Sequence, residues 1–238
     1  MTNLIIASAL FFLIHSLVSG TGLRFVLIDK IGQGAYLGIF SLISIGSVVW
    51  MSMAYGDAPY IHIPVLGDLP PAIDYVTLVI MIAAFLLAVV GITTKNPTAT
   101  GQEAMLQGDD VAHGIVRITR HPFLFGAALW AFAHILSNGE VASLIFFGTF
   151  FVVVVRGMIN IDRKRARVDP AGWEKFAAQT SRVPFLAIMQ GRNSLKLGEL
   201  GAVRVLGAIV IFVAIFYFHA ELFGAAAGSW VTGAPGLG

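Results

Sequence analysis

Residues 72–94 read AIDYVTLVIMIAAFLLAVVGITT, a mostly apolar run with Pro70-Pro71 before it and Asn96-Pro97 after it. A helix needs about 20 such residues to cross a bilayer, and the flanking prolines are natural stop signals. Further stretches near 3–20, 34–55, 122–138, 140–159 and 200–222 meet the same criterion. Asn138-Gly139 makes a tight turn between the fourth and fifth of the six. The whole composition agrees: 57% hydrophobic, 12% charged, mean hydropathy +0.84. Average soluble usage is roughly half apolar and a quarter charged, so this chain has too little polar side chain to coat a wet surface. The expectation is one all-α polytopic membrane bundle over residues 1–238. Soluble enzymes, disordered tails and nucleic-acid binders are poor fits. The first stretch lacks the basic start and small-residue site of a cleaved signal, and no internal repeat stands out.

The fifteen Lys and Arg test that parse. Loop one holds Arg24 and Lys30, and loop three holds Lys95, Arg117 and Arg120. Loop five, residues 160–199, holds with its borders every other one, from Arg156 to Arg204. The N-terminus, loops two and four and the C-terminal tail hold none. Six spans put all the basic residues on one side, read as cytoplasmic, with both termini outside. A multi-pass protein of the bacterial inner membrane is expected. Loop five reads as a polybasic face beside anionic lipid, with Asp169–Phe176 a short amphipathic helix along that surface. No phosphate-cradling glycine loop is present.

Ionisable residues within spans are costly and point to function. His15 lies in span one, His134 in span four and His219 near the outer end of span six; His121 starts span four, and His62 and His113 fall in loops. Ser8, His15 and Ser19 share one helical face. Trp130 precedes His134 by one turn on the same face. With no cysteine in the chain, disulfides, Cys-ligated iron–sulfur clusters and c-type haem are excluded. Two neutral imidazoles from separate helices are a common way for a bundle to hold haem b. The plainer alternatives stay open: a neutral imidazole bonded to a neighbouring helix for His15, an interfacial Trp–His pair for His134. By rise per residue, His15 falls in the inner half and His134 nearer the outer face. Zinc fits less well, since a closed site wants four ligands, although His219 would extend the set.

At Arg120-His121-Pro122-Phe123-Leu124-Phe125-Gly126, then Trp130, His134, Asn138 and Gly139, the chain resembles the NnrU family and the related plant 15-cis-zeta-carotene isomerases. The likeness includes Phe12-Leu13-Ile14-His15-Ser16 with Arg24, Gly34-Ala35-Tyr36, Phe40-Ser41 and Asp162. It continues through Pro184-Phe185, Gly191-Arg192, His219 and Phe223-Gly224. The resemblance implies a membrane bundle with non-covalent haem b, axial ligands at His15 and His134, and cis–trans isomerisation of a polyene or other lipophilic substrate. For the bacterial members it implies a link to nitric oxide and denitrification, through a haem protein that senses or supports it. Arg24, Arg117 and Arg120 are candidate propionate partners, because propionates seek cations at a membrane edge; topology signals explain them equally well. The plant enzymes carry a cysteine where this chain has Ala131, so thiolate switching of the iron is not available here. A different resemblance, to membrane methyltransferases of the isoprenylcysteine type that bind S-adenosylmethionine, runs through His121, Asp162, Trp173, Phe176 and Arg182-Val183-Pro184. The paired Glu and tyrosines of that family are missing. Pro at the first helical position also explains His121-Pro122.

Overall fold

The computed structural model describes residues 1–18, 21–108 and 111–225; Ser19 and the C-terminal tail lie outside them. Helix α1 (Thr2–Leu13) runs into a π-helical turn, Ile14–Val18, that carries His15. Helix α2 (Leu23–Ile31) leaves it at 80°. Next come α3 (Gln33–Gly56), the single turn α4 (Pro64–Gly67) and α5 (Ala72–Thr93). Two 3-10 turns, Glu103–Gln107 and Gly114–Arg117, lead to α6 (Pro122–Asn138) and α7 (Val141–Val168). The chain then forms α8 (Pro170–Gln179), α9 (Leu186–Met189), a 3-10 turn at Leu197–Leu200, α10 (Ala202–Tyr217) and α11 (His219–Phe223). No strand occurs among the described residues, only an isolated bridge between His62 and Glu140.

Three helices, α3, α5 and α7, are long and apolar enough to cross a membrane, and α1 with α2 makes a fourth if the bent pair is one span. The sequence predicts six. The shortfall comes from α6 and α10, apolar but only 17 and 16 residues long. At 1.5 Å per residue they reach about 25 Å, against roughly 30 Å of hydrocarbon. Their predicted stretches also include residues that end the helices: Phe218 interrupts the last one, and Gly139, at φ 57°, closes α6 in the left-handed region. Large apolar side chains face outward along the helices, among them Leu42, Ile45, Val79, Val203 and Leu206. Such a surface is compatible with lipid and not with water.

Two cores hold the helices together. One joins Leu4, Ala7 and Phe11 of α1 to Met51 and Ala54 of α3, Ala131 of α6, and Ala142, Phe146, Phe147 and Val153 of α7. The other joins Leu87 and Val90 of α5 to Leu106, Val111, Ile115, Val116, Ile118, Phe176 of α8 and Ala208 of α10. Helix α6 connects them, packing closely on α5. A Cβ added at Gly126 would lie 2.6 Å from the Ala84 carbonyl oxygen and 2.8 Å from the Ala88 nitrogen. Small residues that let backbones approach are the usual device for packing helices in lipid.

The basic segment differs from its expected form. Residues 160–168 continue α7 rather than forming a loop. Asp169 caps α8, accepting from the Gly172 N–H at 3.0 Å. That helix does not lie on lipid with its apolar face: Phe176 is fully buried in the second core, with Trp173 packed against it. Several cations tie the chain to itself. Buried Arg165 donates to the carbonyls of Pro97 and Ala99, both at 3.0 Å, and pairs with Glu103 at 2.8 Å. Arg192 donates to the carbonyls of Ala177, Ala178 and Thr180. Arg117 grips Glu199 through Nε at 2.7 Å and Nη2 at 3.2 Å. Hydrogen bonding by Arg117, helped by the Gly114 N–H, holds the Glu199 carboxyl at about 2, well below its ordinary 4.5.

Gly126→Ala should therefore force α5 and α6 apart and cost about 1–3 kcal/mol, read as a lower melting temperature in detergent. Gly148→Ala, with nothing within 4 Å of the added methyl, should melt like the unaltered chain. The lowered Glu199 carboxyl gives a second expectation. Its contribution to stability is complete above about pH 4.5 and is lost as pH falls towards 2. Melting curves across that range should show a shallower acid-side loss in Glu199→Gln.

Candidate functional site

The π-helical turn after α1 places His15 against Phe11, ring centroids 4.2 Å apart, and edge-on to Phe40 of α3 at 5.2 Å. Its Nδ1 lies 2.9 Å from the Phe11 carbonyl oxygen. A carbonyl only accepts, so Nδ1 carries the proton and Nε2 is the basic nitrogen. Helix α6 repeats the arrangement: His134 Nδ1–H donates to the Trp130 carbonyl at 2.8 Å. Each imidazole is thus fixed in tautomer and orientation by the backbone one turn earlier, which is how metal-ligating histidines are usually held. π-helical turns are themselves frequent at functional sites.

Between the two imidazoles runs an aromatic layer. Phe150 of α7 meets Phe11 at 5.2 Å and Trp130 at 5.5 Å. Trp130 meets His134 at 5.0 Å, and Phe147 stacks on His134 at 4.4 Å. His219 lies beyond, 6.4 Å from the His134 ring, and Asn138 Nδ2 donates to the His134 carbonyl at 2.8 Å. Among the described residues, no group of three or more metal-binding side chains is close enough to hold one ion. His219 therefore does not build a closed set with the other two.

A cavity of about 820 Å³ opens beside this layer. His15, Phe11, Phe40, Trp130 and Phe150 line its apolar part, and Arg24, Arg163, Lys164 and Arg167 line another. The Arg24 guanidinium lies 5.8 Å from the centre of the Tyr36 ring, itself on the wall. His134 is not among the lining residues; Trp130 stands between. Arg117 and Arg120 do not reach the cavity either. Arg117 is taken by Glu199, and Arg120 by the cluster described next. Of the three candidate propionate cations, the structure brings only Arg24 to the site. Ser8 is buried on the face of His15 with its hydroxyl unpartnered.

A separate polar cluster forms where α6 begins. His121, 2% exposed, has Nε2 at 2.6 Å from Asp162 Oδ1. Arg182 Nε and Arg120 Nη1 approach Asp162 Oδ2 at 3.2 and 3.6 Å. Arg120 also lies 5.2 Å from the centre of the Trp173 ring and donates to the Thr180 carbonyl at 2.7 Å. Backbone bonds reinforce the joint, from Arg120 N to Ser181 O at 2.9 Å and from Phe185 N to Ile118 O at 2.9 Å. The residues of the methyltransferase resemblance do gather here, but none of them lines the large cavity, and Phe176 is core. His62 sits elsewhere, bonded to Asp68 at 3.0 Å. His113 precedes the turn at Gly114–Arg117.

Compared with known proteins, residues 3–227 match the NnrU protein family. This chain belongs to the NnrU family. The NnrU-family chain is also similar to 15-cis-zeta-carotene isomerase, chloroplastic, of Arabidopsis thaliana, at 35% identity over 82 residues. The Zea mays protein of the same name is 34% identical over 82 residues. In both cases the match covers 34% of this chain and 22% of the relative. The NnrU-family chain thus spans about a fifth of those relatives' length. No solved structure matches it.

Reasoning from sequence missed Arg163, Lys164 and Arg167 as wall residues, though a signal was present. They continue the helical spacing of Phe150, Val153, Val154 and Gly157. It also undervalued Asp162, whose partners come from distant positions. Asp162→Asn leaves His121, Arg120 and Arg182 without their shared anion. It should lower stability by about 3–5 kcal/mol, measured by melting in detergent, with Asp162→Glu recovering part of the loss.

Proposed function

We propose that this NnrU-family protein is a six-span inner-membrane protein that binds haem b and isomerises an elongated apolar substrate of the polyene class. The observation that carries the reading is the pair of imidazoles on α6 and the turn after α1. Each is locked through Nδ1–H to its own helix, and one of them forms the wall of a largely apolar cavity. The donor type suits haem b, neutral imidazole with a backbone acceptor behind it; His15 faces the cavity, and His134 would share an iron with it once the Trp130 ring moves aside. The volume suits a small-molecule site, typically about 300–1,000 Å³. His15 and His134 are the imidazoles that would hold the iron. Bound there, haem would supply a redox-active iron, and electron exchange with a conjugated chain would lower the barrier to rotation about its double bonds.

The remaining work belongs to the chain. Phe11, Phe40, Trp130 and Phe150 exclude water from the apolar part of the cavity and offer flat rings to a conjugated chain. Aromatic faces favour offset and edge contacts over free tumbling, so they orient the substrate beside His15. Ala131, in the position of the plant cysteine, is fully buried in the first core, so this chain works without a thiolate. The partial similarity to 15-cis-zeta-carotene isomerase supports an isomerase-like role. Six spans with the basic residues inside supports two outward termini, with α6 and α10 as the short crossings.

Protein purified from haem-supplied cells should show a Soret band. His15→Ala or His134→Ala should abolish or shift it, and His62→Ala should leave it unchanged. The same preparation should change the isomer ratio of an added cis-polyene by chromatography. A preparation with no Soret band overturns the haem assignment.

A further inference from the structure

We infer that the cavity takes an amphiphile, a long apolar chain ending in a carboxylate or phosphate, with its head among Arg24, Arg163, Lys164 and Arg167. This rests on the proposal that the cavity is the substrate site, and it adds a charged head that a hydrocarbon polyene lacks.

The first support is the polarity of one helix face. Along α7 the cavity wall is Phe150, Val153, Val154 and Gly157, then Asn160, Arg163, Lys164 and Arg167. These recur every three or four residues and form one stripe. From Phe150 to Lys164 the stripe rises about 21 Å at 1.5 Å per residue. Its beginning is aromatic and its end cationic. The opposite wall runs the same way, from Phe11 and His15 to Thr21 and Arg24. Two walls polarised in parallel fit a molecule with an apolar body and an anionic end.

The second support is uncompensated charge. Five cations line the cavity, these four and Arg165, against a single lining carboxylate, Glu103. Glu103 is already paired with Arg165 at 2.8 Å. Elsewhere the chain pairs its largely buried cations, Arg117 with Glu199 and Arg120 with Asp162, and half-exposed Arg182 joins the latter. The four at the cavity make no ion pair among the described residues, and Arg24 Nε is buried without a hydrogen-bond partner. Arg24 and Lys164 are partly enclosed, with Arg163 and Arg167 exposed at the rim, and like charges held together repel one another unless an anion joins them. Charge-assisted bonds to a carboxylate or phosphate are the strong kind. A topology signal needs only to be on the correct side of the membrane; it does not require these side chains to turn into a cavity.

The test uses full-length protein in a neutral detergent with cis-parinaric acid, a fluorescent polyene carboxylate, and its uncharged methyl ester. The acid should bind about tenfold tighter, the size of one charge-assisted bond. The difference should shrink as salt is raised and collapse in Arg163→Gln/Lys164→Gln/Arg167→Gln, with affinity for the ester retained. Arg24→Gln alone, a milder change, should narrow it in the same direction. Displacement by phosphatidylglycerol but not phosphatidylcholine supports the inference with membrane lipid as the source. Displacement by dodecyl phosphate alone supports it with a free amphiphile. Equal binding of acid and ester, or an acid preference untouched by salt and by both variants, overturns it. A Soret band dependent on His15 and His134 alongside equal binding would leave the isomerase reading standing and remove only the charged head. Acid preference without a Soret band would do the reverse.

Discussion

Asp162 is a carboxylate 13% exposed, set on a helix long enough to cross a membrane, and the end of the bundle where α6 begins is arranged around neutralising it. An isolated charge in such a place costs several kcal/mol. The chain meets that constraint with His121 from the start of α6, Arg120 beside it and Arg182 from the segment after α8. These donors come from two separate places in the sequence, 120–121 and 182, so satisfying Asp162 also fixes where α6 begins and how the segment after α8 returns beneath it. A further consequence concerns the neighbouring residues. Successive helical positions differ by about 100°, so turning Asp162 to the cluster turns Arg163 and Lys164 towards a different side, the cavity.

That division of α7 separates a structural polar cluster from a binding one. On one side every formal charge has a partner; on the other, cations line open space. The apolar half of the same cavity is bounded by rings from α1, α3, α6 and α7, with His15 among them. His134 is related to it through Trp130 rather than by direct access. Both imidazoles obey one rule. A polar ring in hydrocarbon must bond something, and the carbonyl one turn earlier is always within reach, so the geometry recurs at two sites without any common loop or motif.

Much of this was legible in the residues. The apolar run at 72–94 and its flanking prolines correspond to α5, and the helices at 34–55 and 122–138 fall within a residue or two of their expected ends. Asp169–Phe176 reads as a short helix, and α8 stands there. His15, Trp130 and Arg24 were marked as site candidates, and all line the cavity. The role of the basic segment is not legible in the same way. Composition says that Arg165, Arg117 and Arg192 are positive and lie on one side. It cannot say that their guanidinium groups reach carbonyls and carboxylates tens of residues away. The apolar face of α8 was assigned to lipid for the same reason, because amphipathicity is identical whether the covering surface is a bilayer or Leu106 and Ile115.

By itself, the sequence determined that this is an all-helical membrane protein, where its apolar helices lie, and that any metal ligand must be something other than a thiolate. Those properties depend on local periodicity, composition and the absence of a residue type. Only the tertiary structure decided which cations are consumed within the protein and which face a cavity, and that Asp162 rather than Arg117 or Arg120 organises their end of the bundle. The physical reason is range. Hydrophobic spacing acts over one helical turn, whereas the partner of a charge is set by the packing of helices far apart in the chain.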